Sequence, residues 1–187
     1  TDGVKWMLER ELNTSLISGG ILADECGLGK TIQTLATLRA NPVAKTLIVA
    51  PKCVIHQWLE MAKLLVPDAS VRIHHGIDRP KNLKYYENLF KIKEQTIIIS
   101  TYGMTVSGRK SRRKGGEASS SLLQEIEWDR VVCDEIHILR NAKTKQSRAI
   151  RELNAKIVWG LTGTPVQNSI KDLKTLYECL KFPHHLT

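Results

Sequence analysis

Short apolar runs rich in β-branched residues recur along this chain, at residues 20–23, 46–50, 71–74, 96–100, 130–133 and 157–161. Each is short enough to read as a buried strand rather than a helix. Helical spacing separates them: Ile32, Leu35 and Ala36 follow the first run, and Trp58, Leu59, Ala62 and Leu65 follow the second. A strand that is apolar on both faces needs helices above and below it, and alternation of strand with helix supplies them. The order therefore predicts an α/β domain, a mostly parallel doubly wound sheet with helices on both faces. Near the carboxyl end Ile170, Leu173, Leu176, Tyr177 and Leu180 fall on one helical face, with Ser169 and Asp172 spaced for a capping box.

The first strand runs directly into Asp24-Glu25-Cys26-Gly27-Leu28-Gly29-Lys30-Thr31, after which helical spacing begins. Strand, glycine-rich loop and helix in that order make a phosphate-binding loop. Gly27 and Gly29 let the backbone curl so that its N–H groups converge, and the new helix offers its positive end to an anion. Lys30 is suited to reach the β- and γ-phosphates, and the Thr31 hydroxyl to ligate a magnesium ion that bridges them. Asp24 stands where the general pattern G-x-x-x-x-G-K-T has its first glycine, so the match is to the variant A-x-x-G-x-G-K-T.

The fifth apolar run ends in Asp134-Glu135-Ile136-His137. Two acids at the end of a buried strand suit a metal-nucleotide site, with Asp134 holding magnesium and Glu135 taking a proton from the water that attacks the γ-phosphate. His137 is within reach either of the nucleotide side or of a neighbouring loop. After the sixth run, Leu161-Thr162-Gly163-Thr164-Pro165 puts hydroxyls and a glycine at a strand end, and Gln167 and Asn168 extend that polar cluster. Such a loop can pass a change in phosphate occupancy to another surface; taken alone it reads as an ordinary turn.

Composition narrows the partner class. The 187 residues carry 28 Lys plus Arg against 19 Asp plus Glu, a formal +9 that suits a polyanion. Cys26, Cys53, Cys133 and Cys179 form no Cys-x-x-Cys pair, which excludes the usual zinc spacing and a disulfide framework. No apolar run approaches the roughly 20 residues that cross a bilayer, and the first residues lack a signal-peptide pattern, so the chain reads as soluble, intracellular and not secreted. Residues 107–121 combine glycines, serines and the cluster Arg109, Lys110, Arg112, Arg113 and Lys114, and read as a basic flexible surface loop. A solvated tether is the favoured reading of that cluster; a DNA contact and a nuclear import signal are the alternatives.

Taken together, these segments closely resemble the SWI/SNF-type helicase-like ATPases of helicase superfamily two. Gly3-Val4-Lys5-Trp6-Met7-Leu8 is similar to the family's leading helix, and residues 20–31 to its first motif, with Cys26 where methionine is usual. Further similar segments are Leu47-Ile48-Val49-Ala50-Pro51 with Trp58 and Glu60, Ser100-Thr101-Tyr102, Asp134-Glu135-Ile136-His137, and Leu161 to Asn168. The acidic motif reads D-E-I-H where D-E-A-H is usual, so Ile136 has to fit a tighter position. Trp6 to Glu11, Arg140-Asn141 and the long loop before Trp128 resemble the branch holding the postreplication and excision repair translocases and the helicase-like transcription factor.

The resemblance implies a RecA-like P-loop NTPase domain that hydrolyses ATP with magnesium and moves along double-stranded DNA, shifting chromatin or other DNA-bound proteins. It implies phosphate contacts through Pro51-Lys52 and Ser100-Thr101-Tyr102, hence little sequence preference. Residues 1–187 then read as the N-terminal lobe, a fragment that lacks a second RecA-like lobe with arginine fingers and an adenine-reading glutamine expected just before Thr1. By itself such a lobe should hydrolyse ATP barely, and the expected location is nuclear if the source is eukaryotic. Two other readings stand beside it: a catalytically silent nucleotide- or DNA-docking module, which intact Lys30, Asp134 and Glu135 oppose, and an RNA helicase lobe, which the Leu161 to Asn168 segment opposes.

Overall fold

A computed structural model of the protein describes residues 2–13, 18–106, 121–165 and 170–180. The chain runs α1 (Asp2–Leu12), β1 (Gly19–Leu22), α2 (Lys30–Ala40), β2 (Lys45–Ala50), α3 (Ile55–Leu65), β3 (Ser70–His74), α4 (Leu83–Ile92) and β4 (Thr96–Thr101). It continues through the single-turn helices α5 (Tyr102–Thr105) and α6 (Leu122–Glu125), then β5 (Glu127–Asp134), α7 (Lys145–Glu152), β6 (Asn154–Leu161) and α8 (Ile170–Cys179). The strands form one six-stranded sheet in the order β1-β6-β5-β2-β4-β3, and every neighbouring pair is parallel.

Every strand expected from the apolar runs is present. Strands β5 and β6 start earlier than their apolar centres, because the polar residues ahead of them pair as well: Glu127 lies opposite Asn154 and Trp128 opposite Ala155. On the same stretch the Lys156 ammonium donates to Asp129 Oδ1 at 2.9 Å. Side chains alternate between the faces, as strand geometry requires. Leu47, Val49, Ile98, Val131 and Cys133 pack with Tyr86 and Leu89 of α4, Ile150 of α7 and Leu176 of α8. Ile48, Ala50, Ile97, Ile99 and Val132 pack with Met7 of α1, Leu35 and Leu38 of α2, and Ile55, Trp58 and Ala62 of α3.

Local details correct the sequence reading. Helix α2 buries Thr34, Leu35, Thr37 and Leu38, while Ile32 is exposed, so its inner face is set by two threonines whose hydroxyls bond back to the carbonyls of Lys30 and Gln33. Ser121, expected at the end of a flexible loop, is buried and caps α6 through a capping box with Gln124. The rest of that loop, and the Ser169–Asp172 cap expected for α8, lie outside the described residues and side chains.

One buried ion pair ties α1 to the sheet. Arg130 on β5 donates from Nε to Glu11 Oε1 at 2.7 Å and from Nη2 to Glu11 Oε2, with both side chains fully buried. Glu11 also accepts from Trp159 Nε1 at 2.8 Å and Asn41 Nδ2 at 2.7 Å, so both carboxylate oxygens are saturated. Trp6 meets Trp159 edge-on at 5.2 Å between ring centres. Truncating Arg130→Ala leaves the Glu11 charge buried without its partner, which should reduce stability by about 3–5 kcal/mol. Urea unfolding measures this, and a loss under about 1 kcal/mol would contradict the assignment of the pair as the tether.

At the far edge of the sheet, His74 shares a 2.5 Å hydrogen bond with the Tyr86 hydroxyl. Burial lowers the His74 pKa from 6.5 to about 4, with the Arg79 and His75 charges acting in the same direction. Burial also raises Tyr86 to about 12. Above pH 6.5 His74 is neutral in both folded and unfolded chains; between 6.5 and about 4 only the unfolded chain takes up the proton. Stability should therefore fall as the pH is lowered across that window, by about 3 kcal/mol from this residue. A His74→Gln variant should show a shallower dependence of unfolding free energy on pH between 6.5 and 4, and an unchanged slope would refute the contribution.

Candidate active site

Because all strands run the same way, the loops leaving their carboxyl ends gather at one edge, where open α/β sheets bind ligands. The loop after β1 curls through Gly27 at φ 90° and Gly29 at φ 75°, conformations that disfavour a side chain. Gly29 leads into α2, so Lys30 and Thr31 open that helix. The Lys30 ammonium donates to the carbonyls of Asp24 and Glu25 at 2.7 and 2.9 Å. It thereby ties the first turn of α2 back to the start of its own loop.

Asp24, in the position of the missing glycine, is held by Gln33. The Gln33 Nε2 amide donates to Asp24 Oδ2 and to the Leu28 carbonyl, both at 2.9 Å, bridging the two ends of the loop. Gly3 of α1 lies flat against this amide: a Cβ there would come within 1.8 Å of Gln33 Oε1. The sequence reading gave Gln33 no part. Its signal was its position one turn into the helix that the loop opens.

Asp134 ends β5 and Glu135 follows with a left-handed backbone, φ 50° and ψ 49°, a conformation that strains any residue with a Cβ. Burial pushes the Asp134 carboxyl above the usual carboxylate range. The Glu135 charge pushes the same way, while hydrogen bonds from the Trp58 indole and the Glu135 N–H, and the Lys30 charge, oppose it. Trp58 Nε1–H donates to Asp134 Oδ2 at 2.8 Å and the Glu135 N–H to Oδ1 at 3.0 Å. Cys26, Lys30, Thr31, Trp58, Asp134 and Glu135 help to line a single cleft of about 360 Å³. A larger hollow of about 820 Å³ runs along α1, beside Val4, Leu8 and Leu12, and holds none of these groups.

Strand β6 lies between β1 and β5, so the loop that leaves it sits between the glycine loop and the acids. His137 Nδ1 lies 3.1 Å from Glu135 Oε2 and 3.2 Å from Thr162 Oγ1, so it meets both the cleft side and the neighbouring loop. Thr162 is buried, donates its N–H to the Leu22 carbonyl at 3.1 Å, and accepts from the Thr164 N–H at 3.1 Å. Gly163 abuts the glycine loop: a Cβ there would stand 2.7 Å from Cys26 Sγ and 3.3 Å from Cys26 N. Ile136 gains its room from Gly160, which has no side chain and admits the Ile136 Cδ1 methyl where a Cβ would be 2.6 Å away. Gln167 lies outside the described residues.

The expected DNA contacts divide. Pro51 is half-buried and Lys52 exposed at the end of β2. Ser100, Thr101 and Tyr102 are instead buried. The Ser100 hydroxyl donates to the His74 carbonyl at 2.7 Å, Thr101 faces His75, and the Tyr102 hydroxyl donates to the Asp134 carbonyl at 2.6 Å. Their side chains brace the sheet edge from within. The serine and threonine hydroxyls are spent on His74 at the end of β3 and on His75 just after it, a use that composition alone does not distinguish from an exposed one.

Among the described residues, no group of three or more His, Cys, Asp or Glu side chains is arranged to hold a metal ion by itself. The oxygen donors at the cleft, the Thr31 hydroxyl and the Asp134 carboxylate, fit magnesium, which keeps several waters and takes further oxygens from phosphates.

The model of the SNF2-related domain matches residues 1–185. DNA repair protein RAD5 of Candida albicans is 35% identical over 195 residues, a match covering 93% of this chain and 18% of that protein. DNA excision repair protein ERCC-6-like of Bos taurus is 34% identical over 165 residues, covering 86% of this chain and 13% of that protein. This chain thus spans less than a fifth of these relatives. Among solved structures, the Sulfolobus solfataricus SWI2/SNF2 ATPase core in complex with dsDNA superimposes with a TM-score of 0.68 at 29% identity, covering 95% of this chain and 34% of that one. A parallel sheet of this RecA-like order, its glycine loop and acids at one edge, and a match over almost the whole length lead to one conclusion: the chain belongs to the SNF2-related domain family.

Proposed function

We propose that residues 1–187 form the N-terminal, ATP-binding lobe of an ATP-dependent double-stranded DNA translocase of the repair and remodelling type. The observation that carries this reading is the shared cleft of Lys30, Thr31, Asp134 and Glu135 at the carboxyl ends of β1 and β5. The backbone from Asp24 to Thr31 cradles the phosphates, and Lys30 exchanges its loop carbonyls for phosphate oxygens. Thr31 and Asp134 hold magnesium, which when bound neutralises charge on the β- and γ-phosphates.

Glu135 orients the attacking water and takes its proton as the bond from γ-phosphorus to the ADP oxygen breaks, giving ADP and phosphate. His137, joined to both Glu135 and Thr162, links that event to the loop of Thr162, Gly163 and Thr164, with Gln167 further along it. The contact between Gly163 and Cys26 gives the same loop a second point of support on the phosphate loop.

Duplex DNA is the proposed track. The formal +9 charge and the likeness to a core solved with dsDNA support it, and exposed Lys52 beside Pro51 is the contact offered by the carboxyl edge. Backbone phosphates carry no sequence information, so the motor reads none. A second RecA-like lobe of the same polypeptide supplies the arginine fingers, and the setting is nuclear in a eukaryote, on chromatin or other DNA-bound proteins.

Isothermal titration of the 187-residue chain tests the site. ATP should bind, and Lys30→Ala should weaken it about 10- to 100-fold, the loss of hydrogen bonds to charged oxygens. In the same samples hydrolysis should stay close to background even with duplex DNA, since arginine fingers contribute about 10³ to 10⁵ in rate. Binding indifferent to Lys30→Ala, or rapid turnover by the chain alone, would overturn the assignment.

A further inference from the structure

Trp58 sits in the nucleotide cleft and is also a core residue, only 1% exposed, packed with the apolar side chains on the α1–α3 face of the sheet. A buried indole needs an acceptor for its N–H. The other fully buried tryptophans take theirs away from the cleft: Trp128 donates to the Leu123 carbonyl and Trp159 to Glu11. Trp58 alone of these gives its N–H to an acid that lines the cleft, Asp134 Oδ2, across 76 positions of sequence.

The consequence is geometric. A carboxylate at a strand end can rotate about its Cβ–Cγ bond, and each rotation redirects the lone pairs that a metal or its waters would use. Here both oxygens are fixed, Oδ2 by the indole and Oδ1 by the Glu135 N–H. The indole is rigid, anchored in the core through α3, whereas the Glu135 N–H belongs to a strained left-handed residue. One lone pair on each oxygen is taken, which leaves one on each for a ligand in the cleft that Asp134 lines.

We infer that Trp58 is a positioning residue for magnesium: its indole N–H locks the Asp134 carboxylate in the orientation that receives the metal of a magnesium-nucleotide. The inference rests on the nucleotide reading above. Outer hydrogen-bond partners of metal-binding carboxylates typically tune metal affinity by about 10- to 100-fold. A tryptophan serving only the core would leave magnesium and nucleotide binding coupled as before.

The test compares the full chain with Trp58→Phe, which keeps an aromatic ring in the core and removes the N–H. ATP binding is titrated with excess magnesium and again with chelator, and thermal melting checks the fold. The expected result is about a tenfold weakening with magnesium and no change beyond about twofold without it. Equal weakening in both conditions, or none in either, overturns the inference and leaves nucleotide binding standing. No ATP binding by the unsubstituted chain overturns the nucleotide reading and this inference together. Should Trp58→Phe fail to fold, the unsubstituted chain still decides: its four tryptophans give four indole N–H signals in a nitrogen-15 spectrum. Adding magnesium to the ATP-loaded chain should move the signal of Trp58, assigned by its proximity to Asp134, far more than those of Trp128 and Trp159. No such selective shift overturns the inference.

Discussion

Everything chemical in this protein depends on six strands hydrogen-bonded in one direction. A parallel pair requires its connection to return along the face of the sheet, so each strand delivers its carboxyl end to the same edge and each crossover covers a face. The glycine loop leaves β1, the acids leave β5 and the Thr162 loop leaves β6. Strand order then fixes their neighbours. With β6 between β1 and β5, the Thr162 loop touches both sides of the cleft, through Cys26 on one flank and His137 on the other.

That edge is stiffened by polar groups that are themselves buried. The Tyr102 hydroxyl holds the Asp134 carbonyl, Ser100 ties β4 to β3, and Trp58 holds the Asp134 carboxylate. Burial lifts the tyrosine pKa well above its ordinary value, so its O–H remains a donor. On the face of the sheet that also holds Trp58, the Glu11–Arg130 pair fixes α1, whose Gly3 lies against the Gln33 amide that spans the glycine loop. The leading helix is therefore joined to the phosphate loop by direct packing, a short physical path between two segments far apart in the sequence.

Much of this was legible beforehand. All six strands announced themselves as apolar β-branched runs, because a strand covered on both faces has no polar period to obscure it. The glycine loop was legible because phosphate binding demands a particular backbone, and backbone demands leave glycines at fixed spacing. The polar starts of β5 and β6 escaped, since Glu127 and Asn154 pair as strand without apolar character, and Asp129 and Lys156 beside them join through their side chains. Ser121 escaped because a serine that caps a helix looks, in sequence, like one in a loop. The burial of Ser100, Thr101 and Tyr102 also escaped, since hydroxyls spent inside a sheet edge look, in sequence, like exposed ones.

What the sequence by itself determined is local: which segments are strands, which loop curls around a phosphate, and which acids end a buried strand. Each depends on residues within one turn or a few positions, where side-chain period and backbone freedom act directly. The tertiary structure alone decided who meets whom. Trp58 reaches Asp134, Glu11 saturates on Arg130, Asn41 and Trp159, and Ile136 finds its space at Gly160. Those partners are set by strand order and crossover, and a hydrogen bond between distant segments leaves no periodic trace in either one.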